Sequence, residues 1–174
     1  DKGLTTFKVE MTEFLKDAVA RYKRDLKIEN LKPAHVPYTA EDYDDKETGK
    51  HASSAASHLM KVLFPARVGR PDFLTATSIL ARRVSKWKST HDTMMTQLFR
   101  YIETNADLCL TGSLHENDYE SVELHMWPDA DLGADLTTTK STSGLFLELA
   151  TPCLKRSWPI GWQCTKQATT ACAT

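Results

Sequence analysis

Three aspartates, Asp129, Asp131 and Asp135, fall within seven residues of the stretch WPDADLGADLTTTKSTSG, which carries no basic residue before Lys140. Carboxylate oxygens are the donors that Mg²⁺ takes, alongside water and phosphate. On one strand, Asp129 and Asp131 share a face, because strand side chains alternate with period two. Asp135 follows Gly133 and reads as turn chemistry. One strand and its turn hold at most one hydrated cation weakly. A pair of metal ions about 3.5–4 Å apart needs carboxylates from several elements. Ser141, Thr142 and Ser143 read as a hairpin held by hydroxyl-to-backbone bonds rather than as a phosphate nest.

A second chemistry is carried by Arg82, Arg83, Lys86 and Lys88. Residues 61–100 hold eight Lys and Arg against Asp72 and Asp92, whereas residues 101–135 hold nine Asp and Glu and no Lys or Arg. A basic segment of this kind suits the phosphate backbone of a nucleic acid, with electrostatic, sequence-independent and salt-sensitive binding. The bland alternative is that the two regions complement each other's charge. A third set, Trp127, Trp158 and Trp162, falls on neighbouring strand-like segments and would suit anchoring of a protein partner.

These residues need elements to position them. Residues 4–26 read as one amphipathic helix, with Phe7, Met11, Phe14, Leu15, Ala18, Val19 and Tyr22 at three- and four-residue steps and Thr5 or Thr6 as its cap. YTAEDYDDKETGK reads as a solvated acidic loop. A helix over 53–64 ends at Pro65. Pro71 opens a helix through 71–86, and a fourth covers 91–104 with Met94 and Met95 filling its core side. After Asn105, DLCLTGS, SVELHMW, GLFLELA and SWPIGWQC read as short strands. The expected class is α+β. The expected divisions are 1–52, a helix and acidic tether, 53–105, a helical connection, and 106–174, a β region.

The bulk numbers fit one such assembly: 174 residues, 41% hydrophobic, 26% charged, net charge −1. No apolar run approaches the roughly 18 residues of a membrane span, and no signal-peptide pattern is visible. Four cysteines without a CxxC pair read as reduced thiols in an intracellular setting, with a Cys153–Cys164 disulfide across one hairpin as the alternative. There is no HExxH, GxSxG, P-loop or dinucleotide fingerprint.

Several segments together resemble copia-type retrotransposon polyproteins, in that family's order. SSAASHLMKVLFPARVGRPDFLTATSILARRVSKW resembles the segment after the polymerase core, with its RPD turn. HDTMMTQLFRYIETNADLCLTGS resembles the next helix and strand. WPDADLGADLTTTKSTSGLFLEL resembles the block that opens the ribonuclease H domain, and WPIGWQCTKQATTACAT the strand before that domain's first helix. The Trp-Pro pair and the SHLMK helix look most like dinoflagellate copies. LGAD replaces the family's commoner wAGD, so the local turn is expected to differ.

The resemblance implies a reverse-transcriptase thumb end and connection followed by the first antiparallel strands of a ribonuclease H-like sheet. It implies that Asp129 stands at the family's first catalytic aspartate, where the parent enzyme uses Mg²⁺. It also implies that the polymerase aspartates precede Asp1 and the later carboxylates follow Thr174. The chain is therefore expected to be non-catalytic on its own, with an incomplete metal site at Asp129. Arg82, Arg83, Lys86 and Lys88 would grip an RNA–DNA hybrid backbone. The alternative is a reused fragment serving as a structural or docking subunit, with Trp127, Trp158 and Trp162 facing a partner that covers the incomplete sheet.

Overall fold

The computed structural model describes residues 2–40, 45–131, 142–151 and 156–166; for Asp131, Thr142 and 164–166 the backbone alone is described. The protein is α+β. Among the described residues the main elements follow in the order β1 (Leu4–Val9), α1 (Thr12–Leu26), α2 (Ala52–Val68), α3 (Leu74–Arg83), α4 (Ser89–Thr104), β2 (Leu110–His115), β3 (Glu123–Asp131), β4 (Thr142–Ala150) and β5 (Ser157–Lys166). The chain divides into two compact units, residues 9–110 and residues 1–8 with 111–174. The sequence divisions at 52 and 105 differ from these: α1 to α4 share one unit, and the first eight residues join the strands.

In the helical unit, α1 and α3 each pack against both α2 and α4. The apolar faces predicted by the periodicity meet there. Leu15, Tyr22, Leu59, Val62, Phe73, Met95, Leu98, Phe99 and Ile102 are completely buried. The Tyr22 ring lies flat on Phe99, with centroids 3.9 Å apart and planes 5° from parallel. Its hydroxyl and that of Thr96 share a hydrogen bond of 2.9 Å. Burial pushes the Tyr22 phenol up to about 12. Met94 and Met95 fill the core as expected.

Three readings of the helical region need correction. Residues 4–9 form β1, not the first turns of a helix, and α1 begins at Thr12. Thr5 and Thr6 therefore cap nothing; Met11 occupies the N-cap without a side-chain bond. Pro65 does not end α2, which continues to Val68 and stops at Gly69. The backbone N–H groups of Gly69 and Arg70 both reach back to the Pro65 carbonyl, each at 2.9 Å, so the terminating turn is built around the proline.

The RPD turn is a polar lock. Arg70, 2% exposed, makes two bonds to Asp72, Nε to Oδ1 at 2.9 Å and Nη2 to Oδ2 at 2.7 Å. Tyr101 of α4 donates to the same Oδ2 at 2.9 Å. The Arg70 guanidinium also lies 5.2 Å over the Phe73 ring centroid. One carboxylate thus ties the start of α3 to α4.

The strand unit holds a two-stranded sheet, β1–β2, and a three-stranded antiparallel sheet in the order β3–β4–β5. Strand β2 starts at Leu110, later than the DLCLTGS stretch suggests. The register places Asp129 opposite Gly144, and Trp127 opposite Phe146, which in turn faces Trp162. An irregularity at Leu147/Glu148 shifts β5, so that Trp158 pairs with Leu149 on the opposite sheet face. Trp158 stacks on Phe7 of β1, centroids 4.5 Å apart. A side chain at Gly112 would strike that Phe7 ring, which accounts for glycine in β2.

Candidate functional site

The basic cluster is built by the junction of α3 and α4. Arg82 and Arg83 occupy the last turn of α3, where cations complement the helix dipole. A short 3₁₀ turn, Val84–Lys86, follows. Trp87 is extended, with φ −71° and ψ 125°. Lys88 is extended as well, with φ −114° and ψ 171°. Trp87 is 5% exposed, whereas Lys86 is exposed and Arg82, Arg83 and Lys88 are half-buried.

Trp87 is fixed by its indole N–H, which donates to Asp92 Oδ1 at 2.7 Å. Its ring lies 5.3 Å from that of His91, a residue 1% exposed whose Nδ1 accepts the Lys88 N–H at 2.9 Å. Asp92 also accepts the backbone N–H groups of Lys50 and His51, at 2.6 and 3.3 Å. One aspartate therefore ties the loop before α2 to the turn before α4.

That loop was expected to be solvated; Lys46, Glu47, Thr48 and Lys50 are indeed exposed, and from Asp45 to Lys50 the segment is also anchored. Asp45 accepts from the N–H of Thr90 at 2.6 Å and the hydroxyl of Ser89 at 3.0 Å, occupying the N-terminus of α4. Backbone N–H bonds from Glu47 and Thr90 hold its carboxyl below the ordinary value. Thr48 forms a β-bridge with Lys88, and Ser89 N–H donates to Glu47 O at 2.9 Å. The approach is close enough that a Cβ on Gly49 would sit 2.5 Å from the Lys88 carbonyl oxygen.

The product is an open groove of about 360 Å³ lined by Lys46, Glu47, Thr48 and Ala52 on one side and residues 84–88 on the other. Three lysines, Lys46, Lys86 and Lys88, line it. Lys46 was missed by the sequence reading. Its only local signal is an acidic loop, and its partner segment lies some forty residues away.

The strand residues are distributed differently. Asp129 is exposed on β3. The side chain of Asp131 and all of Asp135 lie outside the described residues, as do Cys153 and the side chain of Cys164. Asp129 shares its sheet face with Glu148, but Glu148 is opposite His125, four register positions away, or about 13 Å along the strand. Glu148 is 9% exposed and accepts the Trp127 indole N–H at 2.9 Å. Among the described residues, no group of three or more His, Cys, Asp or Glu is placed to hold a metal ion. Asp129 alone does not fit the donor set of two Mg²⁺ ions. Of the three tryptophans, Trp127 and Trp162 share a face and Trp158 lies on the other.

No helix among the described residues is long and apolar enough to cross a membrane. No family model, curated protein or solved structure matches the chain.

Proposed function

We propose that the helical unit is a sequence-independent grip for a nucleic-acid backbone, as the corresponding segment of a copia-type polyprotein would be, and that this chain supplies no hydrolytic chemistry by itself. The observation that carries the proposal is the convergence of Lys46, Lys86 and Lys88 on one groove beside Arg82 and Arg83. A buried tryptophan and a triply bonded aspartate hold that groove's wall in place. Preorganised cations meet phosphates without the ordering cost of a flexible tail.

Binding of an RNA–DNA hybrid in a filter assay tests this. Neutralising about four phosphates gives a slope of about −3 to −4 in log K against log salt. Affinity then falls on the order of 100-fold between 50 and 200 mM salt. Salt-insensitive binding, or none, rejects the grip. Mg²⁺-dependent cleavage of the hybrid that is lost in Asp129→Asn rejects the non-catalytic half.

A second reading, a docking subunit in a larger assembly, is favoured by Leu124 and Met126. They are 62% and 60% exposed on the face of β3 that Trp158 shares. Large apolar side chains exposed side by side mark a contact surface. A monodisperse monomer in size exclusion speaks against an obligate partner there.

A further inference from the structure

The other face of the same sheet is different in kind. Its central row runs across all three strands as Trp127, Phe146 and Trp162, directly opposite one another in the register. The Phe146 and Trp162 ring centroids are 6.4 Å apart with planes 23° from parallel. Along β3, the His125 ring lies 5.9 Å from Trp127. Trp127 is 47% exposed, a large open surface for an indole. Its orientation is nevertheless set, because the N–H is held by Glu148.

Carboxylates flank this row. Glu123 lies 3.5 Å from His125 Nε2, with its side chain 70% exposed. Asp129 stands on the other flank, opposite Gly144. Gly144 has no side chain, and a Cβ there would sit 3.5 Å from that of Asp129. The described side chains of this face include three carboxylates, Glu123, Asp129 and Glu148, and the register sets Asp131 and Lys166 in its last row, beyond Asp129.

Aromatic faces carry negative potential and attract cations lying over them. Carboxylates beside the rings add a full charge for a guanidinium or ammonium to meet. The same carboxylates repel phosphates, so this face does not extend the backbone grip. Pro128 lacks an N–H in the middle of β3, which weakens that strand as a template for adding another and leaves recognition to side chains.

We propose that the Trp127–Phe146–Trp162 face of the β3–β4–β5 sheet is a docking site for an extended, arginine- or lysine-bearing segment of a partner protein. The cationic side chains lie over the exposed Trp127 ring, beside the half-buried Phe146 and Trp162, and meet Glu123 and Asp129. Charge complementarity selects this occupant. The site is independent of the groove between residues 46 and 88 and of the Leu124–Met126 face.

The test is fluorescence anisotropy of the whole chain with a labelled Arg-Ser octapeptide, alternating in sequence. An alternating Glu-Ser octapeptide serves as the comparison. The Arg-Ser peptide is expected to bind, the Glu-Ser peptide not. Glu123→Gln with Asp129→Asn is expected to weaken binding at least fivefold, and Trp127→Ala by a similar factor. Glu116→Gln with Glu120→Gln removes two exposed charges from the 3₁₀ turn before β3 and is expected to change affinity less than twofold. Trp127→Phe keeps a ring and is expected to retain most of the binding. It carries the aromatic arm of the test if the alanine variant fails to fold. An equal loss in the Glu116/Glu120 variant reduces the effect to net charge and overturns the proposal. Unchanged binding of the Arg-Ser peptide in the Glu123/Asp129 variant overturns it as well.

Discussion

Trp87 and Asp92 are joined by a 2.7 Å bond from the indole N–H to one carboxylate oxygen, five residues apart across the start of α4. The same carboxylate receives two backbone N–H groups from residues 50 and 51. The tryptophan thus holds the inner wall of the basic groove, and the aspartate holds both walls together. Trp87→Phe keeps most of the buried ring and removes the donor. A hydrogen bond to a charged group contributes about 1.5–3 kcal/mol. The expected loss is about 2 kcal/mol in urea unfolding followed by circular dichroism, with a several-fold loss in hybrid affinity. An affinity unchanged by a substitution that does destabilise would mean that the groove's shape does not matter for binding.

The Arg70–Asp72–Tyr101 lock gives a second expectation. Asp72→Asn leaves a guanidinium that is 2% exposed without its counter-charge. Breaking a buried pair in this way costs about 3–5 kcal/mol. Because Asp72 keeps 29% of its side chain exposed, the lower end, about 3 kcal/mol, is expected. Tyr101→Phe removes one hydrogen bond and costs about 1 kcal/mol. Chemical unfolding of the two variants side by side measures the difference. Similar small losses would show that Arg70 finds other partners.

Acid sensitivity follows from His58, which is 2% exposed, with its ring edge-on to Tyr22 and Phe99. Burial lowers its pKa below the ordinary 6.5, against the opposing pull of Asp25, whose Oδ2 lies 3.8 Å from Nε2. The unfolded chain therefore takes up this proton at a higher pH than the folded one. Stability from this position is complete above about pH 6.5 and is lost as pH falls from there through the lowered folded value. Asp17 and Asp45 are also lowered, by Lys61 and by backbone N–H groups respectively, but their losses come below about pH 3.8 and separate cleanly. His58→Leu is expected to flatten the stability profile as pH falls below about 6.5. Unchanged pH dependence in that variant assigns the effect elsewhere.

Gly49 offers a backbone test of the groove. A methyl at this position would meet the Lys88 carbonyl at 2.5 Å, a rigid partner rather than a flexible side-chain end. Gly49→Ala is expected to open the bridge between Thr48 and Lys88, cost about 1–3 kcal/mol in chemical unfolding and weaken hybrid binding. An alanine variant as stable as the parent would show that the loop can shift without loss.

Much of this architecture was legible in the residues. The periodic stripes of α1, α3 and α4 and the alternation of β3, β4 and β5 follow from local pattern and burial. What failed locally failed for identifiable reasons. Phe7 stands four residues before Met11 and mimics a helical stripe, yet LTTFKV is β-strand, its Phe7 stacked on Trp158, some 150 residues away. Pro65 looks like a stop, but its missing N–H falls near the end of α2, where its carbonyl still serves Gly69 and Arg70. The basic residues of the candidate site were visible as a run. The groove was not, because Lys46 is delivered by Asp45 and Asp92 from a loop that reads as solvated. The sheet face of Trp158 was also hidden, since the irregularity in β5 changes which residues align with Trp127.

The backbone grip is tested most directly by comparing salt slopes for hybrid binding. The parent chain is set against the variant in which Arg82, Arg83, Lys86 and Lys88 are all glutamine, both checked for native circular dichroism. Each phosphate-bound cation removed reduces the slope by about 1. The account predicts a steep slope in the parent that nearly vanishes in the variant, with affinity falling most at low salt. Equal slopes in the two proteins would contradict it.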